Sequence, residues 1–189
     1  MRELSLHILD IAENCVTAKA DLIRISVTES IHSDRFSFTV SDNGSGMSED
    51  MVAMVADPFV TSRTTRKVGL GIPLLKAAAE ACNGGLTINS VLNKGTKINC
   101  WFQRSHIDRM PLGDIITTIT MLVIGYPDIH WIFRYDFNDA MFEFDDEFFK
   151  SELGDISLSE PSIISFLRDH LRQGIEGAQT EIHPMQINK

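Results

Sequence analysis

Positive charge is scarce in this chain. Seventeen lysines and arginines stand against 26 aspartates and glutamates, a formal charge of -9, so the surface as a whole repels phosphate backbones and anionic lipid. The expectation is no nucleic-acid partner and no membrane partner. Cysteine is also sparse. Cys15, Cys82 and Cys100 form no CxxC pair and have no closely spaced histidine, which argues against a zinc site and reads as buried free thiols in a reducing, cytoplasmic compartment. Long apolar runs are missing: the most hydrophobic stretch, Ile115 to Tyr126, has 12 residues with four threonine or glycine positions, short of the roughly 20 that a membrane span needs. The opening MRELSLHILDIAENC is charged and amphipathic, unlike a secretory leader. Internal repeats and low-complexity segments are absent.

What is present suits a globular protein. With 189 residues, 43% of them apolar, the chain can build one full domain plus an appendage. Residues 3–18 have helical period, with Leu4, Ile8, Ile11, Ala12, Cys15 and Val16 on one side and His7, Asp10, Glu13, Asn14 and Thr17 on the other. Two alternating strands follow, Asp21–Thr28 and Arg35–Ser41. The alanine-rich Leu70–Cys82 reads as a helix, with Pro73 in its first turn and Asn83-Gly84-Gly85 as its stop. Leu86–Val91 and Thr96–Phe102 make a further strand pair. Beyond Arg104 the composition changes: eight of 15 aromatics lie between Trp131 and Phe149, in a hairpin turning at Asn138-Asp139. Helices are expected before it, from Pro111 to Ile124, and after it, from Pro161 to Ile175.

Four short patterns carry chemistry. Asp10 and Asn14 are four residues apart on one helix, so their side chains stack, and a carboxylate beside an amide offers magnesium the oxygen ligands it takes. In SDNGSGMSED, residues 41–50, Gly44 and Gly46 follow Asp42 closely, a density that marks a tight turn or a close approach of main chain to a flat partner. Arg63, Arg66 and Lys67 put three positive charges just before Gly69-Leu70-Gly71 and a helix start, where free N–H groups and the positive dipole end favour phosphate. Gly95-Thr96 is the fourth. Singly each has an ordinary reading: a solvated face, a hairpin turn, a basic loop.

Their order, DxxxN, DxGxGM, DPFVTSRTTRKVGLGIPLL and GT, resembles the ATP-binding domain shared by sensor histidine kinases, DNA gyrase, MutL-type mismatch-repair proteins and the ninety-kilodalton heat-shock chaperones, the GHKL superfamily. The resemblance covers residues 1–104. It implies an α/β fold, a two-layer sandwich of the Bergerat type with helices on one face of a mixed sheet; residues 105–189, which it does not cover, read as a small α+β appendage, a docking or dimerisation module in the alternative. It further implies ATP or ADP with Mg2+. Asp42 would accept a hydrogen bond from the adenine amino group, Gly44 and Gly46 would let backbone run close to the ring, Met47 would pack nearby and Thr96 would help hold the base. Asn14 would ligate the metal. Arg63, Arg66, Lys67, Gly69, Leu70 and Gly71 would cradle the phosphates, and Phe59 would hinge the lid.

Two departures qualify the resemblance. Asp10 stands where the hydrolysing branches have glutamate to activate water, one methylene shorter, and Glu13 is turned about 60 degrees away by the helical period. The first motif also starts within the first ten residues, and His7 reads as a pocket-wall or surface residue, so the phosphoacceptor is expected to be another protein. The resemblance implies a protein kinase acting on a partner, as the stand-alone anti-sigma kinases do. The alternatives are a non-catalytic ATP-gated switch and slow hydrolysis with Asp10 as catalytic base. The aromatic face of Trp131, Phe133, Tyr135 and Phe137 is expected to be covered by the two flanking helices, or else to stay open for a partner or a homodimer.

Overall fold

The computed structural model describes residues 3–56, 71–154 and 156–180. Helix α1 spans Leu4–Thr17, followed by strands β1 (Leu22–Ser30) and β2 (Arg35–Asp42) and helices α2 (Glu49–Ala56) and α3 (Gly71–Ala81). Strands β3 (Gly85–Val91) and β4 (Gly95–Gln103) come next, then α4 (Ile115–Gly125), β5 (His130–Phe137), β6 (Ala140–Asp145), α5 (Asp146–Leu153) and α6 (Pro161–Thr180). The strands form one six-stranded sheet in the order β3-β4-β2-β1-β5-β6. All neighbours are antiparallel except β1 and β5, which run parallel. The sheet is therefore mixed, as the α/β sandwich requires.

Alternation decides which face is buried. Ile23, Ile25 and Val27 on β1, Phe36, Phe38 and Val40 on β2, Ile98, Cys100 and Phe102 on β4, and Trp131, Phe133 and Tyr135 on β5 are all buried. The intervening Arg24, Ser26, Thr39, Asn99 and Arg134 are half-buried or exposed, leaving the second face polar. Helix α1 covers β1 and β2, α3 covers β3 and β4, and α6 covers β5 and β6, while α4 packs between α1 and α6. Trp131, Phe133 and Tyr135 are at most 2% exposed. Helix α6 closes over these three, as expected, whereas Phe137, the fourth aromatic of the expected face, is only half-buried. Tyr135 is buried enough that its phenol is pushed up to about 12, and Gln179 of α6 donates to its oxygen at 2.8 Å.

The second half of the chain is joined to the first at two places. Its β5 pairs with β1, Ile25 opposite Phe133 and Val27 opposite Tyr135. At the start of α1, Leu4 and Ser5 donate their N–H groups to the carbonyls of Pro111 and Leu112 at 3.0 and 2.8 Å, taking the place of a side-chain cap. That arrangement moves the start of α4. The helix expected from Pro111 begins at Ile115 instead, because two carbonyls are committed to α1, Gly113 lies at φ +78, and Asp114 caps the helix by accepting from the Thr117 N–H at 2.9 Å. Strands from both sides of the expected boundary at residue 104 thus lie in one sheet.

Candidate functional site

Three polar residues stand in a row across the sheet. Ser90 on β3 pairs directly with Thr96 on β4. One step beyond the Ser41–Lys97 pair, the register of β2 with β4 brings Asp42 beside Thr96. All three line a cleft of about 580 Å3, with Ile88 and with Val52 and Ala53 of α2 on its walls. The neighbours of Asp42 and Thr96 on their strands, Val40 and Ile98, point into the core, so the row is the polar end of the apolar face.

The turn that follows β2 is held on every side. Asp42 Oδ1 accepts from the Gly44 N–H at 2.8 Å. The Asn43 side-chain oxygen accepts from the N–H groups of Asp21 and Leu22, each at 3.1 Å, and its amide donates to the Asp21 carboxylate. Ser45 donates its N–H to the Ala18 carbonyl at 2.9 Å and accepts from the Asn93 N–H at 2.7 Å. The glycines make these approaches possible within the chain itself. Gly46 lies at φ +61 with the Val91 carbonyl where a Cβ would go, and Gly95 at φ +108 is pressed in the same way against the Asp42 carbonyl.

Helix α1 packs beside this turn, through Cys15 and the Ala18 that follows it. Asp10 is half-buried and Asn14 exposed. The Asp10 carboxylate lies against Gly71, the first residue of α3, so closely that a side chain at Gly71 would collide with it. Beneath, Cys15 donates its thiol to the Ile11 carbonyl at 3.2 Å. Burial pushes that thiol's pKa far up, and the neighbouring Asp42 carboxylate adds to the shift, so Cys15 is an inert buried thiol rather than a nucleophile. His7, expected on the polar side of the helix, is instead 5% exposed, and desolvation lowers its pKa.

The model of the family described as histidine kinase-, DNA gyrase B- and HSP90-like ATPase matches residues 2–106. The chain belongs to this family. Among its relatives, the C4-dicarboxylate transport sensor protein DctB of Pseudomonas aeruginosa is 31% identical over 99 residues, 52% of this chain and 16% of that protein. An uncharacterized sensor-like histidine kinase of Rhizobium meliloti is 33% identical over 79 residues, 39% of this chain and 15% of its own length. The chain thus spans about a sixth of the curated relatives it matches. In fold, this ATPase-family chain is similar to the Aquifex aeolicus MutL ATPase domain complexed with ADP, with TM-score 0.53 and 11% identity over 90% of this chain and 70% of that one. The N-terminal domain of a DNA repair protein also gives 0.53, at 14% identity over 77% and 52% of the two chains.

Of the site residues read from the family motifs, Asp42 and Thr96 line the cleft, and Asp10 meets the start of α3 at Gly71. Gly44 and Met47 belong to the braced turn, Met47 donating its N–H to Ser90 Oγ at 2.8 Å. Phe59, Arg63, Arg66, Lys67, Gly69 and Leu70 lie outside the described residues. Two contributors had not been read from the motifs, Ser90 and the Asn43 brace. The pairing of Ser90 with Thr96 follows from the hairpin register once the Leu92-Asn93-Lys94 turn is placed.

A second group of ligating side chains, His130, Asp145 and Asp146, lies near the junction of β5 and α5. Its atoms are already engaged. Asp145 caps α5 and binds His130 Nε2 at 2.9 Å. Asp146 accepts from the Trp131 N–H at 2.8 Å, and its other oxygen sits 2.7 Å from Lys150 Nζ, an ion pair without well-aligned hydrogen-bond geometry.

Proposed function

We propose that the chain binds Mg-ATP and Mg-ADP in this cleft and transfers the γ-phosphoryl group to a partner protein. The observation that carries the reading is the Ser90–Thr96–Asp42 row, which sets a carboxylate and a hydroxyl in a cleft whose lining also includes apolar Ile88, Val52 and Ala53 and charged Glu49, Lys94 and Lys97. An apolar patch beside a few convergent polar groups suits a purine. Asp42 would take the amino group of adenine, since a carboxylate only accepts.

The phosphate end is supported by α1 and α3. Asp10 and Asn14 offer oxygen atoms on one helix face, and the carboxylate of Asp10 meets the N-terminus of α3, where backbone N–H groups favour anions. That donor set fits magnesium, which when bound neutralises phosphate charge. Phosphoryl transfer asks the protein mainly for positioning and charge neutralisation. In the transfer, the bond from the γ-phosphorus to the β–γ bridging oxygen breaks and ADP leaves with that oxygen, while the acceptor side chain forms the new bond and loses its proton to solvent. Similarity to a sensor-like histidine kinase supports transfer to protein over release to water, as does Asp10 where a longer carboxylate would reach water better.

Asp42→Asn tests the base site. It should weaken ATP by about one to two decades in calorimetry, the cost of roughly 1 to 3 kcal/mol for a lost partner to a buried polar group. Unchanged affinity with the fold intact would remove the nucleotide assignment. Incubation with γ-labelled ATP and a lysate should label a partner band, and binding without any transfer would limit the chain to an ATP-gated switch.

A further inference from the structure

We propose that Ser90 is a positioning residue that fixes the direction of the Thr96 hydroxyl, and that this makes the cleft select a purine bearing an amino group over one bearing a carbonyl. The inference rests on the nucleotide reading above. It comes from counting protons.

Ser90 Oγ has three neighbours. The Met47 N–H donates to it at 2.8 Å, the Gly95 carbonyl lies at 3.1 Å, and Thr96 Oγ1 lies at 2.9 Å. A serine hydroxyl has one proton and two lone pairs. The carbonyl can only accept, so the arrangement that satisfies every group sends the Ser90 proton to Gly95 and draws the Thr96 proton onto Ser90. Ser90 is then saturated. Thr96 has its proton committed sideways along the row, and only lone pairs remain to face the cleft.

Its neighbour in the row, Asp42, also presents lone pairs, with Oδ1 already taking the Gly44 N–H. Two adjacent acceptors call for a ligand group with two hydrogens. The exocyclic amino group of adenine has two; the carbonyl oxygen of hypoxanthine at the same place has none and would set oxygen against oxygen. A pocket built to pair a substrate N–H rejects the analogue lacking it because its own polar groups go unmatched. Ser90 also joins the turn after β2 to the β3–β4 turn, through Met47 on one side and Gly95 on the other, so the separation of Asp42 and Thr96 is held as well as the polarity.

The experiment compares ATP with ITP, which differ at this edge of the base, by calorimetry on the full chain and on Ser90→Ala, Ser90→Cys and Ser90→Thr. Wild type should prefer ATP by more than tenfold, the order of a lost hydrogen-bond partner. In Ser90→Ala and Ser90→Cys the freed Thr96 hydroxyl can turn to donate, so ITP should gain on ATP and the ratio fall about fivefold or more. Ser90→Thr keeps the hydroxyl and should restore the ratio. Thermal melts of each variant separate a loss of fold from a change in selection, and the cysteine variant, of nearly the same size, serves if the alanine one does not fold. A ratio unchanged in both folded variants, or a wild-type ratio near one with ATP still bound, would overturn the role given to Ser90. Absence of ATP binding by the wild type would instead overturn the nucleotide reading itself.

Discussion

At the scale of single residues, the glycines divide by what surrounds them. Gly46, at φ +61 with the Val91 carbonyl at the Cβ position, has both a backbone region that side chains avoid and no room. Gly46→Ala should destabilise the protein by at least about 2 kcal/mol, read as a lower urea midpoint, since left-handed strain alone costs about 1–2 kcal/mol and the turn must also shift. Gly177 sits inside α6 with nothing near its Cβ position. Gly177→Ala should stabilise the protein by roughly 0.5–1 kcal/mol, the helix propensity difference, read as a higher urea midpoint. The motif DxGxG was legible in the sequence as a tight corner, but the partner that makes its second glycine necessary, a carbonyl 45 residues downstream, was not.

Among the elements, α1 shows how far periodicity reaches. Its limits, Leu4–Thr17, match the apolar stripe closely, and the placing of Asp10 and Asn14 follows from it. His7 does not follow, because a stripe assigns one side of the helix to a single core, whereas α4 packs against α1 as well as the sheet does. Burial holds the His7 imidazole below its ordinary range. The unfolded chain therefore takes up a proton first: stability is full above the unfolded value of about 6.5 and is lost as pH falls through it toward the lower folded value. The urea midpoint should drop between about pH 7 and pH 5, and His7→Gln, which has no proton to take up, should flatten that slope. An equal slope in both proteins would mean other groups govern it. The short helices α2 and α5 were not read from the sequence. Each has only eight residues, two turns in which a period of 3.6 barely repeats.

For the whole molecule, the sheet order matters most. The strand pairs β1–β2 and β3–β4 are local and were read from alternation and turns, but the parallel pairing of β1 with β5 has no local signature, because the two strands share no turn. Aromatic alternation in β5 announced a buried face without saying beside which strand it lies. A chain ended after Arg104 would lose the β5 pairing to β1, the carbonyls that cap α1, and the cover of Ile119, Leu122, Val123, Trp131, Phe133 and Tyr135. At roughly 2 kcal/mol for each large buried side chain, the burial lost is about 12 kcal/mol, comparable with the whole 5–15 kcal/mol of net stability that typical domains have. Such a fragment should be insoluble or lack a cooperative thermal transition, and a soluble fragment that binds ATP as the full chain does would show that residues 1–104 form a domain by themselves.

The parallel pairing also sets the order of events during synthesis. Leu22 meets His130 across it, so β1 leaves the ribosome long before the strand that completes it. Until then its outer edge carries unpaired N–H and C=O groups beside a row of Ile23, Ile25 and Val27, the kind of edge that other chains can join. Contacts this distant in sequence form slowly, since the loop must close before they contribute. The nascent chain must wait, half-built, with its central strand open on one side, and the cleft beside β2, β3 and β4 is laid down before the sheet that supports it is whole.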